Sequence, residues 1–139
     1  MTLHCRSALV VLAAHKFNSL VEFYSQLLDQ KPALKSPGYV EFHLPGLRLG
    51  IFEPKAKRQA EFPSVKGRAS LCFEVIDLEA AIAHLKKLGC PPKGTIQTAS
   101  HGREIYACDP ANNRLILYEP AQVPQLDLYS ATGDEAYDY

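Results

Sequence analysis

Two short stretches carry the side chains best suited to holding a small molecule. Leu47 to Pro54 reads LRLGIFEP and Asn113 to Pro120 reads NRLILYEP, so arginine, leucine, an aliphatic residue, an aromatic residue, glutamate and proline recur in one order. Such self-similarity marks a duplicated unit. Successive side chains on a strand point to opposite faces. Alternation therefore sets Arg48, Gly50 and Phe52 against Leu49 and Ile51, and Arg114, Ile116 and Tyr118 against Leu115 and Leu117. The aliphatic faces suit packing under a helix. The arginine and aromatic faces suit a cleft, because a guanidinium clamps a carboxylate with two hydrogen bonds while rings cover apolar carbon. The chemistry this predicts is binding of a small, acidic organic molecule. The competing reading is that Arg48 and Arg114 pair with Glu74 or other carboxylates and merely neutralise the sheet.

Further candidates lie on the neighbouring segments. Cys72 and Glu74 share a strand face with Ser70. Glu74 would serve as a base if buried, whereas Cys72 has no histidine beside it in sequence and reads better as a small buried apolar residue. The segment Ser100 to Glu104 offers His101 as a general base and Arg103 as an anion contact, unless Gly102 simply makes a turn between solvated charges. Tyr106 follows on the same hairpin, and alternation leaves its face open. Catalytic residues stay unassigned.

Two repeats of one element order position these groups. The apolar run Arg6 to Ala14 reads as a strand covered on both faces. A helix follows His15 and Lys16, with Leu20, Tyr24, Leu27 and Leu28 on one stripe, Phe23 beside it and Asn18 or Ser19 as cap; it ends by Asp29 to Lys31, before Pro32. A short segment at Ala33 to Lys35 leads to a hairpin of Tyr39 to Leu44 and Leu47 to Phe52, turned by Pro45-Gly46. The charged residues Pro54 to Gly67 form a linker, pinned by Phe62 and Val65. The order then repeats: the strand Ala69 to Val75, and a helix opened by Asp77 with the stripe Leu78, Ile82, Leu85 and Leu88, which ends at Gly89. The strands Thr95 to Ala99, Glu104 to Cys108 and Arg114 to Tyr118 complete it, the last two joined by a turn at Asp109 to Asn113. The class is α+β, a single domain over residues 1–139 with βαβββ units at 6–53 and 69–120, a linker at 54–68 and an acidic tail at 121–139.

Composition narrows the partners. The chain has 139 residues, and its 15 basic residues balance its 15 acidic ones, so it offers no global field for nucleic acid or an anionic membrane. No apolar stretch approaches the roughly 20 residues that span a bilayer. Cys5, Cys72, Cys90 and Cys108 are scattered without a Cys-x-x-Cys pair, which reads as reduced thiols in a cytoplasmic protein.

A paired βαβββ unit, with Phe23-Tyr24 in the first helix and Asp109-Pro110 then Asn113-Arg114 before the last strand, resembles the vicinal oxygen chelate superfamily of glyoxalase I, bleomycin-resistance proteins and extradiol dioxygenases. The likeness covers roughly Arg6 to Pro120. It implies that paired U-shaped sheets enclose a cleft with the helices outside. In the metal-using branch, histidine at the start of each unit's first strand and glutamate in the middle of each last strand hold a divalent ion. The matching positions here are Ala8 or Leu9, Gly50, Ser70 and Ile116, none of which supplies a good donor. Among the five histidines His4, His15, His43, His84 and His101, none is read as sharing a strand face with a carboxylate.

The expectation is therefore a metal-free, glyoxalase-like protein with no cofactor, binding a small organic molecule between its sheets and forming a homodimer. One alternative is a metal-dependent lyase, isomerase or dioxygenase with relocated ligands. Another is an interaction module that uses the acidic tail.

Overall fold

The computed structural model describes residues 2–64 and 67–121. The tail from residue 122 onward, with its expected docking role, and Val65 lie outside them. Within the described chain the elements run β1 (Val10–Ala13), α1 (Phe17–Leu27), β2 (Leu34–Ser36), β3 (Tyr39–Leu44), β4 (Leu47–Phe52), β5 (Leu71–Glu74), α2 (Leu78–Lys87), β6 (Gln97–Ala99), β7 (Gly102–Cys108) and β8 (Arg114–Pro120). Two four-stranded mixed sheets result, ordered β1-β4-β3-β2 and β5-β8-β7-β6. This is the α+β duplication that the repeated stretches imply, and those stretches are the corresponding strands β4 and β8. The chain divides into one unit of residues 2–64 with the turn 109–112, and a second of residues 67–108 with 113–121.

In the first unit β4 pairs in parallel with β1 and antiparallel with β3, with Tyr39 opposite Phe52, Glu41 opposite Gly50 and His43 opposite Arg48. Residues opposite one another share a face. Val40, Phe42, Leu49 and Ile51 are fully buried on the helix side, where α1 contributes Leu20, Phe23 and Tyr24. Burying each such side chain is worth about 1.5–3 kcal/mol. The Tyr24 hydroxyl donates to Asp109 Oδ2 at 2.6 Å, and the other Asp109 oxygen accepts from the Ala111 amide, so the turn 109–112 is anchored to α1.

The second unit repeats the plan. β8 pairs in parallel with β5, aligning Cys72 with Ile116 and Glu74 with Tyr118, and antiparallel with β7, aligning Glu104 with Tyr118, Tyr106 with Ile116 and Cys108 with Arg114. Leu115 and Leu117 are buried with Leu78 and Leu85 of α2. Asp77 caps that helix, its carboxylate accepting from the Ala80 amide at 3.1 Å. Gly89 adopts φ 84° beyond its end, a left-handed conformation that suits glycine.

Four expectations about local structure need correction. The first strand is four residues long rather than nine, its pairing with β4 running only from Val10 opposite Leu49 to Ala13 opposite Phe52, where β4 ends. It is not covered on both faces: it lies at a sheet edge, and Val10 and Val11 are 39% and 45% exposed. Helix α1 starts at Phe17, with Lys16 at its cap position and no side-chain capping bond, so Asn18 and Ser19 lie inside the helix. The linker holds a 3₁₀-helical run, Ala56–Glu61, and Phe62 reaches back to set its ring edge-on to Phe52 at 5.2 Å.

Candidate functional site

On the first unit, the sheet face turned away from α1 carries a polar network centred on Glu41. That residue is only 3% exposed. Its Oε1 accepts from Arg48 Nε at 2.9 Å and from His43 Nε2 at 2.8 Å, while Oε2 accepts from the Tyr39 hydroxyl at 2.6 Å. Arg48 Nη1 also donates to Ser7 Oγ at 2.6 Å. These donors, Arg48 first, hold the Glu41 carboxyl at about 2 against its usual 4.5. Glu41 keeps the Arg48 guanidinium protonated, and its hydrogen bond and charge push the Tyr39 phenol up.

The competing reading of Arg48 as an ion-pair partner is thus partly realised, with Glu41 rather than Glu74. Glu41 was missed because its partners are two residues away on β3 and across the hairpin, which a strand-by-strand reading does not bring together. The histidine reading is corrected as well. His43 and Glu41, two apart on β3, share a face and a hydrogen bond.

At the hairpin end of this sheet, Ala8, Leu9, Val10, Leu44, Leu47 and Arg48 line an open hollow of about 490 Å³, to which Val10, Leu44 and Leu47 come from the face opposite the Glu41 network. Phe52 shares the network's face, beyond Gly50 from Arg48.

On the second unit, the face turned away from α2 brings together Cys72, Glu74, Glu104, Tyr106, Arg114 and Tyr118. The Tyr118 hydroxyl donates to the His101 carbonyl at 2.8 Å, and His101 Nδ1 lies 3.2 Å from it. Burial, then the charges of Glu74, Cys72 and Glu104, push the Tyr118 phenol up. Tyr106 is half exposed and donates to Glu104 Oε1 at 3.2 Å, so its face is now assigned. Cys72 is an exposed thiol rather than a buried one, because β5 is an edge strand and this face carries no helix. Glu74 is exposed too, so the burial that would make it a base is not met.

Arg103 does not join these residues. It alternates to the helix side, where Nη1 and Nη2 clamp both oxygens of Glu79 at 2.6 and 2.9 Å, and Nε and Nη2 reach Glu119 at 3.1 and 2.8 Å. Glu119 in turn accepts from the Leu78 amide at 2.8 Å, which fastens the start of α2 to β8. Arg103 lowers the Glu79 carboxyl to about 2. Asp77, Glu79 and Glu119 gather their oxygens within 4.8 Å of one another. The Arg103 guanidinium pairs with two of these three carboxylates, a structural role rather than an anion contact.

A divalent metal, which the fold implies, does not fit the residues present. At the Gly50 position the space is filled: a Cβ there would lie 2.7 Å from the Tyr39 hydroxyl oxygen and 3.1 Å from its ring. The phenol occupies the volume that a ligating side chain on β4 would need. Ile116 stands at the equivalent place on β8, and Ala8, Leu9 and Ser70 complete the set without imidazole or carboxylate. His43 and Glu41 are no substitute, since both Glu41 oxygens are already bonded to protein donors.

Comparison with solved structures shows the fold. A glyoxalase-related enzyme from Fulvimarina pelagi superposes with a TM-score of 0.65 at 14% identity, over 83% of this chain and 88% of its own. A protein from Agrobacterium tumefaciens gives 0.67 at 24% identity, over 82% and 96%. A genomically encoded fosfomycin resistance protein from Listeria monocytogenes gives 0.67 at 17% identity, over 86% and 96%. Among curated proteins no match was found. The model of the Glyoxalase/Bleomycin resistance protein/Dioxygenase superfamily matches residues 6–117, most of the chain. With the duplicated βαβββ units and the matching strand orders, this chain belongs to the glyoxalase, bleomycin-resistance and dioxygenase superfamily.

Proposed function

We propose that this protein binds a small organic acid without the divalent metal used elsewhere in its superfamily. The observation that carries the reading is the Tyr39 phenol lying over Gly50, which fills one ligand position while the other three offer no strong donor. The ligand's acidic group meets Arg48 on the open face of the first sheet, where Phe52 offers apolar cover. Arg48 is suited to this because Glu41 and Ser7 fix its orientation through Nε and Nη1, leaving Nη2 without a partner among the described residues. The reading extends to a cytoplasmic homodimer. Four free thiols support the location, and the exposed apolar edge strand β1 supports the assembly.

Calorimetric titration with a panel of C4 to C8 aliphatic and aromatic carboxylic acids, with and without a chelator, tests the binding. The expected result is binding that survives the chelator and weakens at least tenfold in Arg48→Met. Binding that appears only with added divalent metal, or no binding to any acid, overturns the proposal. Light scattering tests the dimer, and a monomer mass at micromolar concentration refutes it.

A further inference from the structure

We propose that the open face of the second sheet holds a linear zwitterion, its ammonium group at Glu104 and its carboxylate at Arg114. The inference concerns the second unit alone and stands apart from the acid site at Arg48.

Two opposite charges on this face lack partners. Glu104 Oε1 accepts the 3.2 Å bond from the Tyr106 hydroxyl, but Oε2 is buried and meets no donor among the described residues. Buried polar atoms are nearly always bonded, because a buried acceptor left unmet forfeits its hydration without return. Arg114 is half-buried, and its guanidinium makes no hydrogen bond or ion pair among the described residues.

Register keeps the two from satisfying each other. Glu104 lies opposite Tyr118 and Arg114 opposite Cys108, with the pair Tyr106 and Ile116 in the row between. Four residues of ladder at about 3.4 Å each put their backbones roughly 14 Å apart. The Tyr106 phenol lies in the field of both charges: the charge and hydrogen bond of Glu104, then burial, push it up, and Arg114 draws it down.

A ligand that meets both groups therefore carries its charges several bonds apart. An ω-amino acid or a short peptide does so, whereas an α-amino acid carries them on adjacent carbons. The ammonium group has three donors, enough for Oε2 and for Oε1 once the Tyr106 hydroxyl, on a half-exposed side chain, gives way. Glu74 stands in the same row, on the other side of Tyr118, and adds a second negative charge at that end. The Arg114 guanidinium can clamp the carboxylate with two parallel bonds. Between the ends, Tyr106 and Ile116 offer the methylene chain an apolar surface.

Titration calorimetry of the full chain with the linear series from 4-aminobutanoate to 8-aminooctanoate tests this, each beside the alkanoate and the alkylamine of matching length. The expected result is at least one member bound tenfold or more above either singly charged control. Its affinity should fall at least tenfold in Glu104→Gln and in Arg114→Met and be unchanged in Arg48→Met. Amide NMR signals of the wild type should shift at residues 104–106 and 114–118, a readout that needs no variant to fold. No binding by any member, or equal binding of the controls, overturns the proposal and leaves the acid site at Arg48 standing. Binding unchanged in both Glu104→Gln and Arg114→Met also overturns it. Loss of binding in Arg48→Met, or shifts confined to the first unit, places the zwitterion on the other sheet and overturns it as well.

Discussion

Replacing Gly50 by alanine tests whether the Tyr39 phenol fills the space above position 50. Gly50 has an ordinary strand conformation, so the substitution strains no dihedral, and the whole effect comes from space. The new methyl group would sit 2.7 Å from the Tyr39 hydroxyl oxygen and 3.1 Å from two ring carbons, well inside van der Waals contact. The phenol must swing away, which breaks its 2.6 Å bond to Glu41. Overpacking of this kind costs about 1–3 kcal/mol. Alanine's better strand propensity offsets roughly 0.5–1 kcal/mol of that. The net expectation is a destabilisation of about 1–2 kcal/mol, read as a fall of roughly 0.5–1 M in the urea midpoint for a slope near 2 kcal/mol/M. Because the clash is with one side chain, Tyr39→Ala should remove it. In the double-mutant cycle, Gly50→Ala should be neutral or stabilising on the Tyr39→Ala background, with a coupling of about 1–2 kcal/mol. If Gly50→Ala leaves the midpoint unchanged, or costs the same with and without Tyr39, the phenol does not fill this position and the case against a metal here fails.

Gly102→Ala should cost more than Gly50→Ala, about 3 kcal/mol or above, because Gly102 has φ 154° and its Cβ would clash with the Glu119 carbonyl oxygen, a backbone atom that cannot swing aside; chemical denaturation checks the order. Tyr24→Phe removes a buried 2.6 Å hydrogen bond to Asp109 and should destabilise by about 2 kcal/mol, lowering the melting temperature in calorimetry. Glu41 and Glu79 have folded values depressed from 4.5 to about 2. Their contribution to stability is therefore complete above about pH 4.5 and lost as pH falls toward 2. Urea midpoints across that window should fall steeply in the wild type and less steeply in Glu41→Gln, whereas equal slopes would refute the assignment.

The duplication was fully legible in the chain, because two strands built to one pattern leave matching words, and strict alternation told which of their side chains would lie under a helix. Leu49, Ile51, Leu115 and Leu117 are buried where the pattern placed them. The α2 cap at Asp77 and its stop at Gly89 were equally readable, since capping is local chemistry. The extent of β1 was not, because an apolar run does not state how much of it will pair with a neighbouring strand.

The candidate site depended still more on the third dimension. Arg48 was visible as a candidate, yet its fixed orientation comes from Glu41, a residue on another strand whose role appears only once the ladder sets it opposite Gly50. Arg103 and Arg114 look alike in sequence, but a one-residue difference in phase sends Arg103 to the helix side and its two carboxylates. That position 50 is glycine was plain from the chain alone. That Tyr39 fills the space above it was decided by strand register, which brings residues eleven apart onto one face and into contact.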